Sequence, residues 1–150
     1  MDLKDCLSKD QTLMLSADTK AAALATLADA LCNAAPELDK AVLMDAIIKR
    51  EEMMSTGIGQ GLGIPHVRLA GLNRPVMAVG ITRQGLADYE SLDNNPVYVI
   101  VMIAAPQGQH EVYIRLLARV AEVLKQSDVR QKIIESDDPE EVRALLCGED

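Results

Sequence analysis

Val97-Tyr98-Val99-Ile100-Val101-Met102-Ile103-Ala104 carries no charge, five of its eight residues are β-branched, and Pro96 introduces it. Such a run reads as a fully buried strand. Gly108 then leads into a segment in which Tyr113, Leu116, Leu117, Val120, Ala121 and Leu124 recur at i, i+3, i+4, i+7, i+8 and i+11, the stripe of a helix lying on a sheet. Upstream, Pro75 precedes a second β-branched run, Val76 to Thr82. Further upstream, Leu13 to Leu15 suit a short strand. Ser16 to Thr19 offer N-caps for a helix over about 19–34, with Leu24, Leu27, Ala28 and Leu31 on one face. After Pro36, the residues Val42, Leu43, Ala46 and Ile47 mark a second helix whose last turn carries Lys49 and Arg50. Downstream, Val129 to Ile134 read as a short helix. Asp138-Pro139-Glu140-Glu141 reads as an N-cap, a first-turn proline and a returning carboxylate before Val142, Leu145 and Leu146. Helices and strands interleave without repeat, linker or low-complexity tract. The expectation is one α/β domain over 1–150, a mixed sheet covered by helices.

Composition narrows the function. The 150 residues are 49% hydrophobic, enough for a self-sufficient core, yet they include no Trp, no Phe and three Tyr. The aromatic platforms that stack bases or sugars are therefore missing. A formal net charge of -8 opposes generic binding to nucleic acid or anionic membranes and leaves a basic protein partner open. Cys6, Cys32 and Cys147 lack the paired spacings of zinc sites or redox motifs and read as reduced thiols. Met1-Asp2-Leu3-Lys4-Asp5 has no apolar leader, and no stretch approaches the roughly 20 apolar residues needed to cross a bilayer. A cytoplasmic protein without direct membrane insertion is expected.

Ser55-Thr56-Gly57-Ile58-Gly59-Gln60-Gly61-Leu62-Gly63-Ile64-Pro65-His66 is where the chain looks built around one reactive side chain. The glycines suggest a phosphate cradle, but Gly-Lys-Ser/Thr opening a helix is absent, and the segment follows a helix where a dinucleotide fingerprint follows a strand. Two histidines in the chain, with no His/Cys/carboxylate cluster at ligand spacing, leave little room for a metal, and no elbow motif supports a hydrolase triad. No cofactor is implied. Phosphoryl transfer through His66 needs less: a neutral imidazole is nucleophilic near neutral pH, provided its other nitrogen is anchored and donors receive the phosphoryl oxygens. Pro65 presses Ile64 into an extended conformation, so the ring is expected where a strand is forced to end. Arg50, Ser55 and Thr56 are the nearby donor candidates. In an extended segment the four glycines share one face and open it to a partner protein; a flexible loop is the competing reading. His66 as an ordinary hydrogen-bonded histidine, Arg50 as a dipole-complementing surface charge and Ser55 and Thr56 as loop caps stay open beside the functional readings.

The stretch from Arg50 to His66 closely resembles the signature of enzyme IIA of the fructose/mannitol class of the bacterial phosphotransferase system, including its nitrogen-regulatory branch. The opening helix, the Val97–Ala104 strand and the Leu116-Leu117-Ala118 helix fall in the order this family shows, so the resemblance spans nearly the whole chain. It implies an α/β sandwich with a mixed sheet and a transferase acting through phosphohistidine in sugar transport or nitrogen regulation. His66 would accept a phosphoryl group from HPr or a paralogue and pass it to a cysteine of an enzyme IIB, with Arg50 stabilising it. Arg68 stands where relatives often carry a basic residue, and is equally readable as a solvated charge. The departure is Tyr113, which aligns where the family commonly has a second active-site histidine. A phenol donates one hydrogen bond and supplies no positive charge. His110, one turn earlier, either reaches back to replace that ring or faces solvent beside a packed tyrosine. With that histidine replaced and no transporter or IIB segment fused, a role as a phosphorylation-state reporter that binds a regulated protein stands beside transport. A passive interaction module fits poorly with Arg50, Thr56, Pro65 and His66 all being present.

Overall fold

A computed structural model describes residues 3–148; Met1 and Asp2, the first residues of the segment read for an apolar leader, lie outside them. Two short 3-10 turns, Leu3–Asp5 and Lys9–Gln11, lead into β1 (Thr12–Leu15), α1 (Lys20–Ala34) and α2 (Lys40–Met53). Three short strands follow, β2 (Gly57–Gly59), β3 (Leu62–Gly63) and β4 (His66–Leu69), then the long strands β5 (Val76–Leu86) and β6 (Val97–Pro106). The chain closes with α3 (His110–Leu124), α4 (Ser127–Glu135) and α5 (Pro139–Cys147).

The helix signals act as expected at two caps. Thr19 accepts a hydrogen bond from the Ala22 N–H at 3.2 Å to start α1. Asp138 accepts from the Glu140 N–H at 3.0 Å with Pro139 in the first turn of α5. The returning carboxylate differs: the Asp138 N–H donates to Ser136 Oγ at 3.2 Å, and Glu141, three residues after the cap, is exposed. A hydroxyl two residues upstream reaches that N–H without the backward turn a glutamate must make. Helix α2 runs three residues past Arg50, and its buried face is Leu43 and Ile47, with Val42 exposed. On α3 the buried stripe is Tyr113, Leu116, Val120, Val123 and Leu124, and Ala121 faces out.

The sheet is mixed, in the order β1-β5-β6-β3-β2, with β4 also pairing β6. β5 and β6 are antiparallel, whereas β1 runs parallel to β5, and β3 and β4 run parallel to β6. Alternation along the two long strands divides the core. Val76 and Ala78 of β5, with Ile100, Met102 and Ala104 of β6, meet Leu24, Leu27 and Leu31 of α1 and Leu43 and Ile47 of α2. Met77, Val79, Ile81, Val99, Val101 and Ile103 meet Leu116, Val120 and Leu124 of α3, Ile133 of α4 and Val142 and Leu146 of α5. Two helical layers thus sandwich one sheet.

Along the edge of β6, β3 pairs Gly63 with Ile100 and β4 pairs His66 with Ile103, the same register on either side of Ile64-Pro65. Pro65 has no N–H for the ladder, though its carbonyl still accepts from the Ile103 N–H at 2.9 Å. His66 therefore opens β4. The expected strand end is a gap in pairing, and β4 resumes beyond it.

Candidate functional site

The cleft at this edge has a volume of about 810 Å³ and is lined by Ala46 and Arg50 of α2, His66, Val67 and Arg68 of β4, Gln107 and Gly108, and Tyr113 of α3. Three elements meet there because β6 carries β4 alongside it and turns into α3, while α2 packs on β4. His66 and Arg68 are two apart on one strand, so their side chains share a face, and Val67 between them points into the α1/α2 core.

The His66 ring is half-buried, and its Nδ1 lies 2.6 Å from the Ile64 carbonyl oxygen. A carbonyl only accepts, so Nδ1 carries the proton and Nε2 carries the lone pair on the side away from the backbone. The extended Ile64 that Pro65 imposes aims that carbonyl back at the ring. Tyr113 packs against the same ring, with centroids 5.7 Å apart and planes tilted by 50°. Burial holds the Tyr113 phenol above its ordinary pKa, against the opposing pull of Arg68 and Arg50, so it stays a neutral O–H at physiological pH.

Arg50 stands in the last turn of α2 and donates from Nη1 to the Met54 carbonyl at 2.8 Å. One of its five donors thus fixes the guanidinium at the cleft wall and caps the helix. The dipole-complementing and phosphate-facing readings of Arg50 are compatible in this geometry. Arg68 lies with its guanidinium carbon 5.5 Å from the centre of the Tyr113 ring and its Nη1 3.0 Å from Nδ1 of His110. His110, the first residue of α3, is exposed. It meets Arg68, and Tyr113 takes the place beside His66.

Ser55 and Thr56 are placed otherwise. Ser55 Oγ donates to the Glu90 carbonyl at 2.6 Å, and Thr56 Oγ1 bonds the Tyr89 hydroxyl at 2.7 Å while its N–H donates to Glu51 at 3.2 Å. Neither lines the cleft. Both secure the α2–β2 connection, as the loop-cap reading had it. The glycines also differ from an open extended face: all four are buried, and β2 and β3 form an antiparallel hairpin. Gly59, with φ of 95°, and Gly61, with φ of 80°, turn it. Gly57 lies against the Glu90 carbonyl so closely that a Cβ would collide with it. The glycines admit this chain's own β5–β6 connection, not a partner.

The sequence reading missed that connection. Asp93 accepts from the Gln60 N–H at 2.8 Å and the Asn95 N–H at 3.1 Å, pinning the hairpin tip. Tyr89 is fully buried, with the Lys20 ammonium 4.3 Å from its ring centre and a Lys20–Glu51 ion pair at 2.9 Å beside it. The cue available in sequence was Ser91-Leu92-Asp93-Asn94-Asn95, a turn composition that gives no partner. Among the described residues no cluster of three or more His, Cys, Asp or Glu could hold a metal ion, and no helix is long and apolar enough to cross a membrane.

Residues 6–147 match the family model described as phosphoenolpyruvate-dependent sugar phosphotransferase system, EIIA 2. A fructose-specific EIIABC component of Bacillus subtilis is 33% identical over 112 residues, 75% of this chain; the match spans only 18% of that relative's length. The crystal structure of the nitrogen regulatory protein IIA-Ntr of Neisseria meningitidis superposes with a TM-score of 0.88 at 25% identity, covering 96% of this chain and 98% of that one. The Escherichia coli mannitol enzyme IIA, solved as a complex with phosphorylated enzyme IIB, superposes with a TM-score of 0.73 at 19% identity, covering 93% and 96%.

Proposed function

Because the chain belongs to the EIIA 2 family of the phosphoenolpyruvate-dependent sugar phosphotransferase system, we propose that it is a phosphocarrier that accepts a phosphoryl group on Nε2 of His66 and passes it to a protein cysteine. The observation that carries this reading is the 2.6 Å hydrogen bond from Nδ1 of His66 to the Ile64 carbonyl. It leaves a fixed lone pair on Nε2 in a cleft that two guanidinium groups share. The donor is HPr or a paralogue, itself a phosphohistidine. As the new N–P bond forms, the donor's N–P bond breaks and its electron pair returns to the donor ring. Nδ1 keeps its proton throughout, and Ile64 O stabilises the positive charge that develops on the phosphorylated ring. Transfer onward makes a P–S bond to a cysteine thiolate of an enzyme IIB and restores the Nε2 lone pair. That the mannitol enzyme IIA of similar fold was solved with phosphorylated enzyme IIB supports this acceptor class.

The test is incubation with enzyme I, HPr and labelled phosphoenolpyruvate. The expected label is acid-labile, alkali-stable and absent from His66→Ala; label that persists in that variant overturns the assignment. A second reading, control of a regulated protein by phosphorylation state, is favoured by the likeness to IIA-Ntr at a TM-score of 0.88. A phosphoryl group adds about -1.5 to -2 charges at this edge, enough to change which surface binds there. Transfer from phosphorylated His66 to added enzyme IIB domains supports transport. Partner capture that depends on phosphorylation, without such transfer, supports control.

A further inference from the structure

A phosphoryl group on His66 presents three strong acceptor oxygens and nearly two negative charges, and Arg50 has one of its donors held by Met54 O. The other guanidinium in the cleft is Arg68, which shares a strand face with His66. On open surface an arginine loses most of its effect to side-chain entropy and solvent. Arg68 is itself exposed, yet it is held at two points, by the Tyr113 ring 5.5 Å away and by the His110 nitrogen at 3.0 Å. Arginine has no acceptor and donates only, so Nδ1 of His110 meets it with a lone pair, as a neutral ring. Tyr113 in turn packs on His66 at 5.7 Å between centroids. The three side chains form a bracket that runs from the acceptor ring to the rim of the cleft.

Resting on the phosphocarrier reading, we infer that Arg68 is the second phosphoryl-binding cation of this site and that His110 is its positioning residue, acting through Arg68 and never on the phosphoryl group itself. The His110 imidazole fixes where the guanidinium sits, and Tyr113 supplies the face on which it lies. Without the histidine the guanidinium keeps its charge and loses its orientation. Arg50 and Arg68 then flank the transferring group from α2 and β4, while the neutral Tyr113 phenol sits beside the ring.

The test uses the full chain with phosphoramidate as phosphoryl donor, so that no partner surface enters. The His66 Nε2 lone pair forms the new N–P bond as the P–N bond of phosphoramidate breaks, and ammonia leaves with the bonding pair. Phosphohistidine formation is followed by phosphorus NMR in the wild type, R68Q, H110L, the double variant and H110Q, each checked for unchanged thermal unfolding. R68Q is expected to slow the reaction about tenfold, the effect of one charge-assisted hydrogen bond. H110L is expected to slow it about threefold, and to have no further effect once Arg68 is gone, because its influence passes through that residue. H110Q, whose amide oxygen accepts a guanidinium N–H, is expected to recover most of what H110L loses. Equal slowing by H110L in both backgrounds overturns the positioning role, and an R68Q rate within a factor of two of wild type overturns the role of Arg68. Absence of phosphohistidine from the wild type, or its presence in His66→Ala, instead defeats the phosphocarrier reading beneath it.

Discussion

Lys20 shows how single residues support the site from a distance. Its ammonium pairs with Glu51 at 2.9 Å, with the Lys20 side chain 19% and the Glu51 side chain 7% exposed, and it also lies over the Tyr89 ring. Glu51 accepts from the Thr56 N–H, so this pair ties the N-terminus of α1 to the turn following Arg50. Removing one partner of such a pair leaves the other charge buried, which costs more than the pair contributes as a whole. Lys20→Met is therefore expected to lower unfolding free energy by about 3 kcal/mol. Tyr89→Phe, which removes only the hydroxyl bonded to Thr56, costs about 1–2 kcal/mol. Urea unfolding of both variants checks the ranking, and a larger loss in Tyr89→Phe would show that the brace works through the hydroxyl pair. At this scale the meeting of His66 and Arg50 in one cleft follows from local chemistry, Ile-Pro-His and a basic last turn, that sequence displays. The Arg68–His110 contact, 42 positions apart in sequence, exists only once β4 and α3 meet at the end of β6.

The β2–β3 hairpin is the element whose shape matters most to the site, since it delivers the chain to Ile64 and is held by the β5–β6 connection. Asp93 is the pin. Backbone N–H donation from Gln60 and then Asn95 holds its carboxyl down at about 2, below the ordinary 3.8. A depressed carboxyl contributes its stabilisation in full above about pH 4 and loses it as pH falls through about 2. The Gln60 amide resonance is thus expected to titrate with a midpoint near 2 and to lose exchange protection at neutral pH in Asp93→Ala; a midpoint near 4 would show that the pin is absent in solution. The hairpin was misread because glycine at every second position fits an extended strand as well as a turn, and it is the positive φ values at Gly59, Gln60 and Gly61, of 95°, 59° and 80°, that separate the two. The long elements were legible for the opposite reason. β6 and α1 each carry a run of apolar residues with one period and one clear boundary, and the structure extends β5 and β6 past their expected ends without changing what they are.

At the scale of the whole molecule, the three-layer arrangement leaves β5 open beside β1, and the N-terminal segment closes that gap. The Cys6 carbonyl accepts from the Met77 N–H at 3.1 Å and from the Gln11 amide at 2.9 Å, and the same amide donates to the Met77 carbonyl at 2.7 Å. Cys6 and Leu7 are each 1% exposed and join the cluster under α3 and α5. The thiol is thereby pushed up to about 11, first by burial and then by the charge of Asp5. At pH 8 about one thiol in a thousand is then ionised, and only the thiolate reacts readily with alkylating reagents. Burial at 1% also bars the reagent itself, so chemistry and access impose the same block. If the segment is part of the cooperative core, iodoacetamide labels Cys6 only through global unfolding, and its rate rises with urea in step with the loss of far-ultraviolet helix signal. Cys32, half-buried on α1, labels ahead of it in native buffer. Labelling of Cys6 at the rate of Cys32 would mean that the segment opens by itself, leaving the sheet edge beside β1 without the cover that these hydrogen bonds give it.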